Sequence, residues 1–172
     1  TRNRARYLND LLTAFAKQVE KNQISAEEVA FYISDNASED ETPEVIRQFV
    51  GRVPKAVCTR NSVNTGAGNN VLHVRTMGNG NYIWAIGDDE LLADDALVNL
   101  LCIIRQHQPG LILAYSVRYD LRLRTPQIFT DYRAFARECV HTNVHALAEH
   151  SLISSNIYRA DCFDHDLARQ KL

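Results

Sequence analysis

Three carboxylates stand in succession at Asp88, Asp89 and Glu90, directly after the apolar run Tyr82-Ile-Trp-Ala-Ile86 and Gly87. Like charges this close raise one another's pKa by about one unit or more unless a cation compensates. A divalent metal is such a cation. Mg²⁺ and Mn²⁺ favour oxygen ligands and keep several waters and substrate phosphate oxygens, so one or two carboxylates are a sufficient protein share. The same acids equally suit a solvated turn that starts the next helix, and the motif alone leaves both readings open. A second polar group, Ser34-Asp35-Asn36-Ala37-Ser38, closes another β-branched and aromatic run. A carboxylate and an amide there can pair with the N–H and C=O edge of a nucleobase, but Asn, Asp and Ser are also the residues of an ordinary turn.

Other candidates carry less. Arg118, Arg122 and Arg124 could meet a diphosphate or an acidic acceptor, or form a solvated charged face. His141, His145 and His150 fall on a predicted helix, yet without an HExxH glutamate or nearby cysteines they read as capping or surface histidines rather than zinc ligands. Ser154 and Ser155 lack a GxSxG elbow, which argues against a serine hydrolase. No GxGxxG or GxxxxGK[ST] loop occurs, which weakens a nucleotidyltransferase or other Rossmann-like enzyme. Cys58, Cys102, Cys139 and Cys162 are far apart without CxxC spacing, and read as buried or incidental reduced thiols.

The elements that must position these groups alternate. Tyr7, Leu8, Leu11, Leu12, Phe15 and Val19 lay one apolar stripe along a helix over residues 5–21. A strand is predicted over 29–33, then a helix begun by Thr42 as N-cap with Pro43 and Glu44 in its first turn and ended by Gly51. A strand over 55–59, a Gly/Asn-rich loop over 61–70 and a helix over 70–77 follow. The strand over 81–86 runs into the acidic turn; Asp94 or Asp95 then caps a helix, and Pro109-Gly110 separates it from a strand over 111–115. A helical region over 132–149 and an irregular stretch over 151–158 complete the chain. Strands alternating with helices imply an α/β fold with a mainly parallel sheet and helices on both faces, whose ligands sit at the carboxyl ends of the strands. Those ends carry Asp35 and Asp88.

At 172 residues the chain is the size of one domain, and its formal charge of −2 with pI near 6.3 gives no electrostatic reason to expect nucleic acid. It contains no apolar run near the ~20 residues of a membrane span and no signal segment, so a soluble, cytoplasmic chain is expected.

Taken in order, these segments resemble the family 2 glycosyltransferases of GT-A (Rossmann-like) fold over most of residues 1–115. Thr1-Arg2-Asn3-Arg4-Ala5-Arg6-Tyr7-Leu8 is similar to that family's Thr-aromatic-Asn-Arg loop and first helix, and residues 34–42 to its base-binding loop. Asn61 to Asn70 corresponds to its Asn/Gly loop, and Tyr82 to Leu92 to the strand ending in its DxD-type motif. Gly87-Asp88-Asp89 and Ser154-Ser-Asn-Ile-Tyr-Arg159 look like the abequosyltransferase-like subgroup acting on bacterial surface polysaccharides.

The resemblance implies a metal-dependent inverting enzyme. It would use Mn²⁺ or Mg²⁺ to move a sugar from a nucleoside-diphosphate donor to a hydroxyl of a bacterial surface glycan or lipid-linked acceptor. By carry-over, Asp35 with Asn36 reads the base, Thr1 and Asn3 line the nucleotide site, Asp88 sits near ribose or phosphate, and Asp89, with Asp88 beside it, holds the metal. Residues 1–115 are then a nucleotide-sugar-binding core and 116–172 the acceptor side of the same domain, with peripheral membrane association of the full-length protein. The chain departs from the family pattern at Arg2, which replaces an aromatic, and at Glu41, which replaces a glycine. The family's first strand is expected before Thr1. Phe163-Asp164 resembles the pair that precedes the catalytic Glu-Asp, which puts the general base beyond Leu172, with Asp164 and Asp166 as weak substitutes. The alternative is a non-catalytic nucleotide-binding or assembly module of the same fold.

Overall fold

The computed structural model describes residues 1–114, 128, 129, 131, 133, 134, 137 and 156–162. The first element is α1 (Ala5–Asn22), whose buried face is Leu8, Leu11, Leu12, Phe15, Ala16 and Val19; Tyr7, placed on the predicted stripe, is instead exposed, at the first turn beside Arg4. It ends in a Schellman arrangement, with Gln23 at φ 51° and Ile24 N donating to Val19 O at 3.1 Å.

Two strands, β1 (Phe31–Asp35) and β2 (Ala56–Arg60), run parallel with Asp35 opposite Arg60. Alternation gives β1 two functions. Phe31 and Ile33 join the core under α1 and α2 (Thr42–Val50), where Phe31 meets Phe15 and Phe49 edge-on at 5.3 and 5.1 Å. Tyr32 and Ser34 face α3 (Ala67–Met77): Tyr32 hydrogen-bonds Asn79 just beyond that helix, and Ser34 bonds Asn70 within it. Helices therefore cover both faces of this pair.

Three further strands are antiparallel. β5 (Asn156–Arg159) lies between β3 (Tyr82–Trp84) and β4 (Leu111–Leu113), and α4 (Ala96–His107) connects β3 to β4. The middle strand buries Ile157 and Tyr158, as a central strand must. Phe15 touches Trp84 of β3 at 6.1 Å as well as Phe31 of β1, so α1 packs across both strand groups and ties them together.

Several boundaries differ from the sequence reading. β1 extends through Ser34 and Asp35, two polar residues, because Phe31 to Asp35 are all paired with β2. β2 likewise ends at Arg60, whereas β3 and β4 stop earlier than the apolar runs that contain them. Thr42 is not the N-cap of α2 but its first helical residue; Glu41 holds the cap position and the Asp40 carboxylate accepts from Thr42 N at 3.1 Å. The third helix starts at Ala67, three residues early, because Gly66 at φ 86° supplies its entry. Parallel pairing holds for β1 and β2, while Asn156–Arg159, at the end of a stretch read as irregular, forms the antiparallel strand at the centre of the second group. Cys58, Cys102 and Cys162 are free as expected but exposed rather than buried. No helix among the described residues is long and apolar enough to cross a membrane. Arg118, Arg122, Arg124, Cys139, His141, His145, His150, Ser154, Ser155, Asp164 and Asp166 lie outside the described residues.

Candidate functional site

Asp35 ends β1 with a neighbour on each side. Thr1 N donates to Ser34 O at 3.0 Å and Asn36 N returns a bond to Thr1 O at 2.9 Å, while Asn61 N donates to Asp35 O at 2.9 Å. The side chain of Asp35 is 1% exposed. Its Oδ1 accepts from Ser38 N, three residues on, at 3.0 Å, but Oδ2 accepts no hydrogen bond among the described residues. Arg60 lies beside it, with Nε 3.5 Å from Oδ2 and Nη2 bonded to Ser38 O. Thr1 Oγ1, next to Asp35 across the strand edge, is also buried without a partner among the described residues. Buried polar atoms are rarely left unsatisfied, and two on adjoining residues at a strand end mark a place where a ligand can complete the bonding.

The loop after Asp35 is tied back to the start of the chain. Arg2 Nη1 donates to Asn36 O and Ala37 O at 2.9 and 2.6 Å, Asn3 N donates to Ser38 Oγ at 3.0 Å, and Glu39 N donates to Asn3 Oδ1 at 2.7 Å. Ala37 sits at φ 59°, a conformation these bonds support. Asn36, by contrast, is buried with its amide fully engaged. Its Oδ1 accepts from Asn61 Nδ2, Thr65 N and Thr65 Oγ1, and its Nδ2 donates to Asn64 Oδ1 and Gly66 O. Its role is to fold the Gly/Asn loop around the site.

The acidic turn reaches the same region through Arg4. One nitrogen, Nη1, donates to Asp88 Oδ1 at 2.7 Å and to Asp89 Oδ2 at 3.1 Å. The Asp88 side chain is 13% exposed and that of Asp89 53%, so the pair has one inner and one outer member. Asp88, by hydrogen bond and then by charge, and Asp89 after it, hold the Arg4 guanidinium pKa above its ordinary value. Residues 1–4 thus link the two sites, since Thr1 lies beside Asp35 and Arg4 grips Asp88, with at most about 11 Å of chain between their Cα atoms.

Residues 1–145 match the family described as glycosyl transferase family 2. The chain belongs to this family. A second similarity is to the abequosyltransferase RfbV of Salmonella typhimurium, 38% identical over 101 residues, which is 58% of this chain and 29% of that protein. Among solved structures, TarS 1–349 of S. aureus superposes with TM-score 0.66 at 17% identity over 99% of this chain and 47% of that one. A mannosyltransferase from Pyrobaculum calidifontis, in complex with GDP-Man and Mn²⁺, superposes with TM-score 0.55 at 18% identity over 69% of this chain and 34% of that one. The fold is GT-A, as the order of motifs implied. The chain spans 29% of the abequosyltransferase and 47% of TarS 1–349.

Whether the chain can hold a divalent cation is tested by the arrangement at Arg4. Asp88 and Asp89 converge on a single positively charged nitrogen, so their oxygens are placed to share one cationic centre. That is a two-carboxylate share, which suits a metal completed by water and phosphate oxygens. Among the described residues no group of three or more His, Cys, Asp or Glu side chains is gathered for a metal, so an all-protein cage does not fit.

The structure gathers Thr1, Asn3, Asp35 and Asn36 at one end of β1, and it adds two arginines beside the acids, Arg4 and Arg60, that the sequence reading left unassigned. Arg60 was findable from the pairing of two strands that both end in charged residues. Arg4 stands within the stretch that resembles the family's first loop, but its pairing had no local signal, because its partners are 84 and 85 residues away. A separate open groove of about 590 Å³ between α1 and residues 92–95 is lined by Asn9, Thr13, Lys17, Lys21, Leu92 and Asp95, and none of the predicted site residues lines it.

Proposed function

We propose that this chain forms the nucleoside-diphosphate-sugar site of a metal-dependent, inverting glycosyltransferase that acts on a hydroxyl of a bacterial surface glycan or lipid-linked acceptor. The observation that carries the reading is the buried Asp35 Oδ2, which has Arg60 at 3.5 Å but no hydrogen bond among the described residues, on the residue flanked by Thr1, whose buried Oγ1 likewise has none there. An ionised carboxylate only accepts, so it calls for an N–H donor such as a base edge offers, and a hydroxyl beside it serves either a donor or an acceptor. Asn3 and Arg2 hold the loop that frames this edge, and Asn36 holds the loop opposite. Asp88 and Asp89 lie at the far end of the Thr1–Arg4 segment, where the diphosphate of a ligand bound at Asp35 would fall.

Within this reading Asp89 is the principal ligand of Mn²⁺ or Mg²⁺, with Asp88 beside it. A cation held there would supply positive charge to offset the negative charge growing on the departing diphosphate. The acceptor hydroxyl attacks the anomeric carbon from the side opposite the leaving oxygen, the bond to the diphosphate breaks, and a carboxylate base takes the acceptor proton. Asp164 and Asp166 are the weak candidates for that base in this chain. A lipid-linked acceptor places the protein on the cytoplasmic side, at the inner face of the membrane. The donor complexes of other proteins support the donor class: TarS in complex with UDP-GlcNAc and the Pyrobaculum mannosyltransferase with GDP-Man and Mn²⁺.

Calorimetric titration of UDP, GDP, CDP and dTDP in the presence of Mn²⁺ tests the proposal. One or more of them binds, and Asp35→Ala abolishes that binding. Failure of all four to bind contradicts it. Binding without donor hydrolysis or transfer by the full-length protein favours the non-catalytic module.

A further inference from the structure

We propose that Arg4 is an exchangeable counter-cation of the acidic turn, holding Asp88 and Asp89 until a divalent cation takes their oxygens and thereby making metal uptake depend on an anion that receives the displaced guanidinium. The inference rests on the reading of Asp88 and Asp89 as metal ligands and extends it to how the site is loaded.

Three features of the geometry carry it. First, the guanidinium occupies the point on which the two carboxylates converge, with a single nitrogen 2.7 Å from one and 3.1 Å from the other. A second cation cannot share that point, because two positive charges a few ångström apart repel strongly in a partly buried setting. Metal and Arg4 therefore compete for the same oxygens.

Second, Arg4 is free to leave. Its side chain is 46% exposed, so swinging it out disturbs no core packing. The exposed Tyr7 ring, one helical turn on, already lies 5.9 Å from the guanidinium carbon, a contact Arg4 can keep as its nitrogens turn away from the acids.

Third, a released Arg4 has an electrostatic reason to bind an anion. It holds the N-cap position of α1, and its side chain makes no capping bond there. A cation at the positive end of a helix is unfavourable, and that helix end favours negative charge. A diphosphate that arrives with the cation meets both needs, since its oxygens bind the metal and its charge accepts Arg4. Cation and diphosphate then bind with positive coupling, and the acids never face one another uncompensated. Arg4 is in this sense a positioning residue, acting through Asp88 and Asp89.

The test uses the full chain, Mn²⁺ as the metal and inorganic pyrophosphate as the anion, with free Mn²⁺ followed by electron paramagnetic resonance. Without pyrophosphate, Arg4→Met is expected to tighten Mn²⁺ binding by about tenfold, whereas Arg4→Lys stays near wild type. Pyrophosphate is expected to tighten Mn²⁺ binding more in the wild type than in Arg4→Met. A purely structural role would weaken binding instead. Far-UV circular dichroism checks the fold, and Arg4→Gln replaces Arg4→Met should the latter fail to fold. Unchanged or weaker Mn²⁺ binding in the folded charge-removing variant overturns the inference. If wild-type binding is lost in Asp89→Ala yet indifferent to Arg4, this inference fails alone. If neither wild type nor variant binds Mn²⁺ through Asp89, the metal-site reading fails with it.

Discussion

Ser34 and Asn70 bind each other in both directions: Ser34 Oγ donates to Asn70 Oδ1 at 2.6 Å, and Asn70 Nδ2 donates to Ser34 O at 3.1 Å. Both are buried, and Thr1 N shares the Ser34 carbonyl at 3.0 Å. The pair fixes α3 against the residue that precedes Asp35, so the floor of the candidate base site is set from behind by an amide.

Asn70→Ala leaves Ser34 Oγ without its acceptor and removes a partner of Asn61 Nδ2. Losing partners of buried polar groups costs about 1–3 kcal/mol each. Chemical denaturation is expected to show a loss of about 2–3 kcal/mol, larger than for Ser34→Ala. An unchanged denaturation midpoint would mean that the pair contributes nothing.

Gln18, not Asp94 or Asp95, caps α4. Its Oε1 accepts from Leu97 N at 2.8 Å, its Nε2 donates to Ala93 O at 2.9 Å, and Asp95 makes no side-chain capping bond. Gln18→Leu should therefore cost about 2 kcal/mol by stranding a buried amide and carbonyl. Asp95→Ala loses only its exposed bridge to Lys21 and should cost under about 1 kcal/mol. Thermal melts that rank the two the other way would refute the assignment.

Asp40 joins the starts of two helices, accepting from Ala5 N and Thr42 N at 3.1 Å each. Burial opposes its ionisation, but the bonds from Thr42 and Ala5 outweigh it and leave its pKa below the ordinary carboxylate value. A depressed folded pKa contributes stability that is fully present above the unfolded value of about 3.9 and is lost as pH falls through the folded pKa. Asp40→Ala should lose about 1–2 kcal/mol at neutral pH. Its deficit against the wild type should shrink as the pH is lowered past about 4. A deficit independent of pH would remove the carboxylate from the explanation.

Asp35→Asn separates function from stability. Asparagine can still accept from Ser38 N, and it removes a buried charge whose second oxygen has no hydrogen bond among the described residues. The melting temperature should change little, because the relief from burying a charge is offset by loss of the 3.5 Å pairing with half-exposed Arg60. Nucleoside-diphosphate affinity should fall by about tenfold or more, because an amide N–H then faces the base N–H. Retained affinity would dissociate Asp35 from the base.

Much of the fold was legible because its signals are local. The stripe from Leu8 to Val19 needs only helical spacing, and the order of helices and strands from residue 5 to 113 follows from alternating apolar runs and Gly or Pro breaks. What was not legible depends on distant partners. β1 runs on into Ser34 and Asp35 because β2 pairs with them, and residues 156–159 become a central strand only where β3 and β4 meet them. The site divides in the same way. Asp35, Asp88 and Asp89 stand out as acids after apolar runs, and Arg60 follows once β1 and β2 are paired, whereas the pairing of Arg4 with acids 84 and 85 residues away is one that no spacing rule reveals.

The central claim is that Asp89 and Asp88 hold a cation that helps to bind a nucleoside diphosphate. Calorimetry of the best-binding diphosphate, with Mn²⁺ and again with EDTA, on wild type and Asp89→Ala tests it most directly. The account predicts that EDTA weakens wild-type binding by at least about tenfold, as loss of a charge-assisted ligand set should, and that Asp89→Ala with Mn²⁺ resembles wild type with EDTA. Equal affinity with and without metal, or Mn²⁺ dependence that survives Asp89→Ala, would contradict it.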